Sequence, residues 1–372
     1  MSLIKVKSRG TDNVSGRRNL IINGAMQVAQ RGTSFTSVSA SAYHLDRWQY
    51  YVANHDELRT TVSQDSSVPT GADSGFSKSL KIDCTTAESA IAANENLRVW
   101  QKIEAQDLVR LGYGTSGAKS TTLSFYVKSS LTGTYTLSFW TADTDRSISK
   151  TYTINSANTW EKKTVTIPGD TGGTGINVDN GEGMRVNWFL NAGSNFTSIN
   201  TNNQWATFAA GRHSFGHTAA WGTNTSHDFF LTGVQFEVGD SASDFEHRSF
   251  GEELALCQRY YFKITGNEVN NASDGGFAIA TNWDNSVFFI TLHFPTQMRA
   301  GPSMSYGAAL SDFQILQAGA TNAPTGMSIN GASKQRCEMN LVKSGGFGSA
   351  GTSGWIRIVD NINGFIAFDS EL

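Results

Sequence analysis

The chain has 372 residues, enough for two or three domains that each bury a core. Charged residues make up only 16% and there are 37 glycines, a composition typical of a β-rich protein with many short turns and a polar surface. The formal net charge is −3 and no long charged run occurs, which argues against partners such as nucleic acid or an anionic membrane.

Residues 1–18, at the start of the chain, are polar, with one short alternating piece around Ile4 and Val6. Such a segment buries little surface by itself, so we expect an extended arm. One alternative is a disordered tail, and the other is an arm that becomes ordered when it docks onto a partner by strand addition, which the alternation of Ile4 and Val6 would allow.

From residue 19 to residue 250 the apolar residues follow a period of two almost everywhere. In "MRVNWFL" (184–190), for example, Met184, Val186, Trp188 and Leu190 point to one face, as expected of a strand. Strands are further predicted at 80–84, 123–128, 135–140, 164–168 and 231–238, and only 103–111 is predicted to be helical. In the strand at 231–238, Gln235 and Glu237 are expected to point away from the core.

Residues 251–263, "GEELALCQRYYFK", have apolar residues near helical spacing and are predicted to be a linker, formed by a short helix or a strand. Strand patterns resume over 264–372, for instance in "SVFFITLHFP" (286–295), "GWIRIVD" (354–360) and "GFIAFDSEL" (364–372). The strands follow one another without long helices, which argues against a parallel α/β sheet. We therefore predict an all-β protein, with a jelly-roll β-sandwich at 19–250 and a second, smaller β-sandwich at 264–372.

Three cysteines, Cys84, Cys257 and Cys337, are widely spaced and form neither a CxxC pair nor a disulfide framework. We expect them to be small buried side chains in a protein synthesised in a reducing cytoplasm. The first twenty residues lack the apolar core of a signal peptide, and no stretch approaches the roughly 20 apolar residues of a membrane span. Membrane insertion is therefore not expected.

Several stretches resemble bacteriophage tail-fibre and receptor-binding proteins that carry a jelly roll like a carbohydrate-binding module. They are "NLIINGAMQVAQRGTSFT" (19–36), "YHLDRWQYY" (43–51), "WQKIEAQDLVRL" (100–111), "LSFYVKSSLTGTYTLSF" (123–139), "TWEKKTVTIPGDTGG" (159–173), "LTGVQFEVGDSASDFEHRSFGEELALCQRYY" (231–261) and "FPTQMRAGPSMSY" (294–306). Together they cover most of the chain, and their order and spacing carry the resemblance.

The resemblance implies a virion protein, usually a homotrimer, that binds bacterial surface polysaccharide during host adsorption. It implies attachment to other tail or capsid proteins through residues 1–18 and a C-terminal tip at 264–372. Long fibres have an extended anchor and a shaft, and the chain shows no repeat or sustained heptad, so we expect a short fibre, a spike or a virion decoration protein. No cofactor is expected, although related jelly rolls often hold a structural Ca²⁺ through oxygen ligands.

Catalytic residues of a glycan hydrolase would be two carboxylates about 5–10 Å apart across a groove. The candidates fall in loops or at outward strand positions without a pairing spacing: Asp143, Asp145, Asp170, Asp179, Glu182 and Glu237. We therefore predict a protein that is not an enzyme. His213, His217 and His227 occur close together, but the Gly, Thr and Ser around them indicate a loop rather than a zinc-binding helix.

Sugar binding needs exposed aromatic rings, and loops are where such residues usually function. Trp205 and Trp221 lie in the Gly-, Asn- and Thr-rich connection that also contains His217, and Trp283 lies in a loop of the C-terminal region. The predicted glycan-binding residues are Trp205, His217, Trp221 and Trp283. The sequence leaves open which sandwich binds the receptor, and a structural virion adaptor without receptor binding stays an alternative.

Overall fold

A computed structural model describes residues 17–71, 75–200, 203–266, 276–307, 309–358 and 364–372. Most of the predicted arm, residues 1–16, lies outside the described residues. The chain divides between Ser249 and Phe250 into two compact units, called here unit 1 and unit 2. The predicted linker at 251–263 belongs to unit 2, where it forms a helix and the start of a strand.

Unit 1 consists of short strands with two single-turn helices. Its strands are β1 (Ser34–Val38), β2 (Ala42–Leu45), β3 (Trp48–Ala53), β4 (Arg59–Asp65), β5 (Ser79–Thr86), β6 (Asn96–Glu104), β7 (Thr121–Ser129), β8 (Gly133–Thr141), β9 (Arg146–Ile154), β10 (Glu161–Ile167), β11 (Glu182–Ala192), β12 (Ala206–Thr207) and β13 (Asp228–Val238). The helices are α1 (Ala105–Leu108) and α2 (Ser194–Thr197), and 3-10 turns span Val109–Leu111, Ala210–Arg212 and Trp221–Thr223. The helix predicted at 103–111 is thus the end of β6 followed by one turn of α-helix and one 3-10 turn.

The strands of unit 1 form two antiparallel sheets. Sheet 1 has the order β1-β4-β5-β13-β7-β10, and sheet 2 has the order β12-β9-β8-β11-β6-β3-β2. The chain crosses from one sheet to the other at each step from β5 to β8, as in a jelly roll. The predicted inward face of β11 is fully buried in the core between the sheets: Met184, Val186, Trp188 and Leu190.

The outward face of β13 is covered as well, contrary to the prediction of a half-buried strand. Gln235 and Glu237 are 0% and 3% exposed. The segment after the strand folds back over them: the backbone N–H of Ser243 donates to Glu237 Oε1 at 2.8 Å, and that of Glu246 donates to Gln235 Oε1 at 2.7 Å. Buried polar side chains therefore keep their hydrogen bonds, which is why a polar face could be covered at all.

Unit 2 begins with α3 (Phe250–Gln258) and continues as strands. These are β14 (Tyr261–Thr265), β15 (Gly276–Asn282), β16 (Val287–His293), β17 (Ser303–Gly307), β18 (Phe313–Gln317), β19 (Ala320–Asn322), β20 (Gly326–Ala332), β21 (Arg336–Val342), β22 (Ser353–Ile358) and β23 (Phe365–Asp369), with a 3-10 turn at Leu310–Asp312. Sheet 3 has the order β14-β23-β17, and sheet 4 has the order β19-β18-β22-β15-β16-β21-β20.

The core of unit 2 lies between these two sheets. Phe368 of sheet 3 contacts Phe294, which follows β16 of sheet 4, with ring centroids 5.1 Å apart. Phe288, Ile290, Leu292 and Phe294 share the buried face that their spacing predicts. The predicted all-β fold class, a jelly-roll sandwich followed by a smaller sandwich, is confirmed. Among the described residues, no helix has the length and hydrophobicity required to cross a bilayer.

Candidate functional site

The structure buries two of the four predicted glycan-binding residues. Trp221 is 0% exposed and belongs to the core of unit 1, so neither face of its ring is accessible to a sugar. Trp205 is 9% exposed; its Nε1–H donates to the carbonyl of Pro168 at 2.7 Å, and its ring meets the ring of Tyr113 edge to face. The predicted surface position is wrong for both residues, because the connection folds onto the sandwich instead of projecting from it.

His217 is also a packing residue. Its Nε2 lies 3.1 Å from the carbonyl of Leu190 and 2.8 Å from that of Ala219, so Nε2 carries the proton and donates to both. Burial lowers its pKa to about 4, despite these two hydrogen bonds, which act in the opposite direction. His217, which is only partly exposed, therefore anchors the connection to β11, and its contact with a glycan stays a prediction.

Trp283 is the predicted residue that the structure places at the surface. It is 69% exposed and lies in the connection between β15 and β16. Its ring packs against that of Phe289, with centroids 5.5 Å apart, which holds the indole while leaving most of it in water. The geometry is therefore compatible with the predicted stacking on a sugar.

A second exposed tryptophan, Trp355, lies on the same surface. It is 65% exposed on β22, directly opposite Ile279 of β15, which is 68% exposed. Side chains two apart share a face of a strand, so Ile279 and Thr281 of β15 point to the same side, and Phe289 joins them because its Cα pairs with that of Thr281. Trp283 follows the end of β15 and reaches this side through its ring contact with Phe289. We call this surface of sheet 4 the Trp355 face: Phe277, Ile279, Trp283, Phe289, Leu316, Trp355 and Arg357.

A cleft of about 620 Å³ opens on the Trp355 face. Its walls combine the Trp355 ring and aliphatic side chains with one guanidinium, that of Arg357. Arg357 is oriented by Gln314, whose Oε1 accepts hydrogen bonds from Nε at 3.2 Å and from Nη2 at 2.9 Å. Apolar walls with a few oriented polar groups are what small-molecule sites generally present.

Trp355 is not among the predicted glycan-binding residues, although its outward position can be predicted from the pattern of "GWIRIVD" (354–360). Ile356 and Ile358 are buried in the core of unit 2, so the period of two requires Trp355 and Arg357 to point outward. An outward tryptophan in a strand is more informative than a tryptophan in a glycine-rich loop, because the pleat fixes its direction whereas a loop can fold back.

Sheet 2 of unit 1 also has an aromatic surface, but its rings are occupied. Trp100 is 3% exposed: Tyr51 stacks on it at 4.5 Å, and the guanidinium of Arg185 lies 4.4 Å from its centroid. Arg98 lies 4.5 Å from the Tyr51 ring and 4.6 Å from the Trp100 ring. The guanidinium groups cover the faces that a sugar would use, so this surface is a packed layer of cation–π contacts.

The six carboxylates considered for catalysis all have structural partners. Asp170 pairs with Arg146 at 2.7 Å, and Glu182 pairs with Arg185 at 2.7 Å. The others accept hydrogen bonds from backbone or side-chain groups: Asp143 from Asn177, Asp145 from Trp140, Asp179 from Gly181, and Glu237 from Ser243. Each side chain therefore has a structural role that explains its position.

Comparison with known proteins gives only distant similarity. No family model matches the chain, and no curated protein matches it. Solved structures that it resembles include the enzymatically active domain of tailspike protein 4 from bacteriophage CBA120 (12% identity, TM-score 0.31, 59% of this chain and 21% of that chain) and a putative sugar binding protein from Bacteroides thetaiotaomicron (14%, 0.31, 60% and 100%). A family 11 carbohydrate-binding module from Clostridium thermocellum is similar at 9% identity and TM-score 0.28, covering 58% of this chain and 98% of the module. At these TM-scores the similarities assign neither a family nor a ligand.

Proposed function

We propose that the chain is a non-catalytic glycan-binding protein of a phage particle and that the Trp355 face holds the glycan. The observation that carries the proposal is the pair of tryptophans, Trp355 and Trp283, exposed on one face of a sheet. Exposing large apolar surface is unfavourable, and contiguous patches of it on soluble proteins generally mark binding sites. The C–H faces of sugar rings stack on such indoles, while hydroxyl groups accept hydrogen bonds from a guanidinium such as that of Arg357.

The spacing of the two tryptophans favours an extended ligand. Trp355 is opposite Ile279, and Trp283 lies just past the end of β15. The three steps from Ile279 to Asn282 within the strand already span about 10 Å at a rise of roughly 3.4 Å per residue. A single hexose ring cannot reach both indoles. We therefore propose an oligosaccharide or polysaccharide ligand, in agreement with the bacterial surface polysaccharide that the sequence resemblance implies.

The proposal includes a homotrimer in a tail fibre or spike, attached to other virion proteins through residues 1–18. Three linked copies would bind the cell surface more tightly than one site does, without any new contact at each site. The structural partners of the six candidate carboxylates support a non-catalytic role, because groups engaged in ion pairs and turns are not arranged as an acid and a base across a groove.

The test is binding of the fluorescent full-length protein to a panel of bacterial cells, with and without periodate oxidation of their surface glycans. We expect strain-selective binding that oxidation abolishes. Trp355→Ala is expected to weaken single-site affinity by roughly 30-fold, the effect of removing an aromatic anchor worth about 2 kcal/mol, and Trp283→Ala to weaken binding of long glycans most. Both residues are exposed, so folding should be unaffected.

Phe250→Ala is the matched control, since Phe250 is an aromatic residue of unit 2 that is 57% exposed on α3 rather than on sheet 4. It should bind like the unaltered protein. Native mass is measured for every variant. Unchanged binding by Trp355→Ala together with a changed native mass would assign the Trp355 face to subunit contact and reject it as the glycan site.

A further inference from the structure

Two connections at one end of the unit 1 sandwich bring an imidazole and two carboxylates together. His55 lies between β3 and β4, and Glu88 and Glu95 both lie in the connection between β5 and β6. Their side chains are 0%, 7% and 9% exposed. One possible ligand atom from each side chain lies within 4.8 Å of the others. None of the three belongs to the Trp355 face or to the histidines noted in the sequence.

The ligand atoms converge on a common point. His55 Nδ1 lies 2.9 Å from Glu88 Oε2 and 3.5 Å from Glu95 Oε2. The backbone holds both carboxylates in place: the N–H groups of Glu57 and Leu58 donate to Glu88 Oε1 at 3.2 and 3.3 Å, and that of Ala92 donates to Glu95 Oε2 at 2.8 Å. Such outer contacts are what orient the ligands of metal sites.

The cluster brings two carboxyl groups together away from water. Two carboxylates removed from water face each other, and His55 Nδ1 offers one proton to the pair. Buried carboxylates are found paired with cations or bound to metal ions, because the desolvation of an isolated negative charge is costly. No Lys or Arg forms an ion pair with Glu88 or Glu95 among the ion pairs found in the described part of the chain. A divalent cation would neutralise both carboxylates at once.

The chemical types of the three ligand atoms determine which metal ions the cluster would prefer. One imidazole nitrogen and two carboxylate oxygens are suited to Zn²⁺ and to other first-row transition metals, whereas Ca²⁺ and Mg²⁺ prefer oxygen ligands alone. We propose that His55, Glu88 and Glu95 bind one divalent transition-metal ion, of which Zn²⁺ is the representative. The ion would tie the β3–β4 connection to the β5–β6 connection.

The test uses full-length protein stripped of metal with a chelator and without an affinity tag. Calorimetric titration with Zn²⁺ is expected to give one ion per chain, and the melting temperature should rise with Zn²⁺ concentration, because an ion that binds only the folded state stabilises it. Ca²⁺ and Mg²⁺ titrated in the same way are expected to bind at least about tenfold more weakly. Absence of Zn²⁺ binding, or a preference for Ca²⁺, would overturn the assignment.

Glu95→Gln separates metal binding from folding. A glutamine amide can still accept the N–H of Ala92 and can donate to Glu88, so the metal-free variant should melt at or above the temperature of the metal-free parent protein. Its Zn²⁺ affinity is expected to fall by at least about tenfold, because one charged ligand is lost. His55→Gln should also weaken binding.

The matched control is Glu161→Gln, which alters a hydrogen-bonded carboxylate elsewhere in unit 1, bound by Lys163 and Asn155. It should bind Zn²⁺ with the affinity of the unaltered protein. Equal Zn²⁺ affinity in Glu95→Gln and the parent protein would show that the ion binds elsewhere and would reject this cluster as the site.

Discussion

His217 illustrates how a polar residue of a glycine-rich connection becomes part of a packed interior. Besides its two carbonyl acceptors, its ring meets Tyr135 edge to face, with centroids 5.8 Å apart. Protonation would place a charge away from water and add an Nδ1–H donor at a buried atom that has no hydrogen-bond partner, so the imidazole stays neutral. Burial accordingly lowers the pKa of His217 to about 4, compared with about 6.5 for an unperturbed histidine.

This shift predicts an acid-dependent loss of stability. Between about pH 6.5 and pH 4 the unfolded chain binds a proton at His217 that the folded chain does not, so stability decreases as the pH falls. The contribution of His217 reaches at most about 3 kcal/mol and is constant below that window. His217→Gln keeps a donor for the two carbonyls and should reduce the pH dependence of the unfolding free energy, measured by urea denaturation from pH 4 to pH 8.

The remaining pH dependence is expected to come from His44 and His213, whose pKa values burial also lowers. His227→Gln is the control, because it replaces another histidine of the same connection, whose Nδ1 lies 2.6 Å from the carbonyl of Trp221. An unchanged pH dependence in His217→Gln would mean that the imidazole is charged or exposed in the folded protein.

The tryptophans show when a sequence predicts whether a side chain points into the core or toward solvent. Trp188 and Trp355 lie in strands, where alternation fixes whether a side chain points inward or outward, and the structure agrees with that rule for both. Trp205 and Trp221 lie in a long connection without periodicity, so the sequence does not indicate whether their side chains point inward or outward. Their burial depends on how the connection packs against sheets formed by distant residues.

At the scale of elements, the segment 19–28 is a buried part of unit 1 that is neither helix nor strand. Asn23 organises it: its Nδ2 donates to the carbonyls of Val28 and Asp46 at 2.9 and 3.0 Å, and its Oδ1 accepts the N–H of Val28 at 3.0 Å. Its φ of 56° lies in the left-handed region, which asparagine tolerates better than most residues. Asn23 is therefore the residue that holds this irregular segment in place.

Two substitutions of Asn23 separate its hydrogen bonds from its backbone conformation. Asn23→Gly removes three hydrogen bonds without backbone strain and should lower the unfolding free energy of unit 1 by about 3 kcal/mol. Asn23→Ala removes the same bonds and adds left-handed strain, for about 4 kcal/mol in total. Denaturant titration of both variants tests this; an alanine variant as stable as the glycine variant would contradict the strain argument.

The elements themselves were largely predictable where one face of a strand is buried, because burial on one side produces the alternation that the sequence shows. β11 and β16 follow this rule. The burial of the outward face of β13 is not predicted by the same rule. The alternation places Gln235 and Glu237 toward solvent, but the segment at 240–248 covers them. Polar residues buried with their hydrogen bonds look the same in sequence as exposed ones.

At the scale of the molecule, each unit has its own hydrophobic core. The larger core contains only residues of unit 1, among them Trp48 and Trp188, and the smaller one contains only residues of unit 2, among them Phe288 and Phe368. A core formed by one stretch of chain generally allows that stretch to fold alone. The two proposed sites also divide between the units, with the metal cluster in unit 1 and the Trp355 face in unit 2.

This division predicts that the two activities can be separated by cutting the chain between Ser249 and Phe250. A fragment of residues 250–372 should unfold cooperatively and keep the single-site glycan affinity of the full chain, because every residue of the Trp355 face lies within it. A fragment of residues 1–249 should keep Zn²⁺ binding and lose glycan binding. Calorimetric unfolding of each fragment establishes that it is folded before either ligand is tested. Glycan binding that persists in the folded 1–249 fragment, and is absent from the folded 250–372 fragment, would move the receptor site to the jelly roll and leave the exposed tryptophans of sheet 4 to another partner.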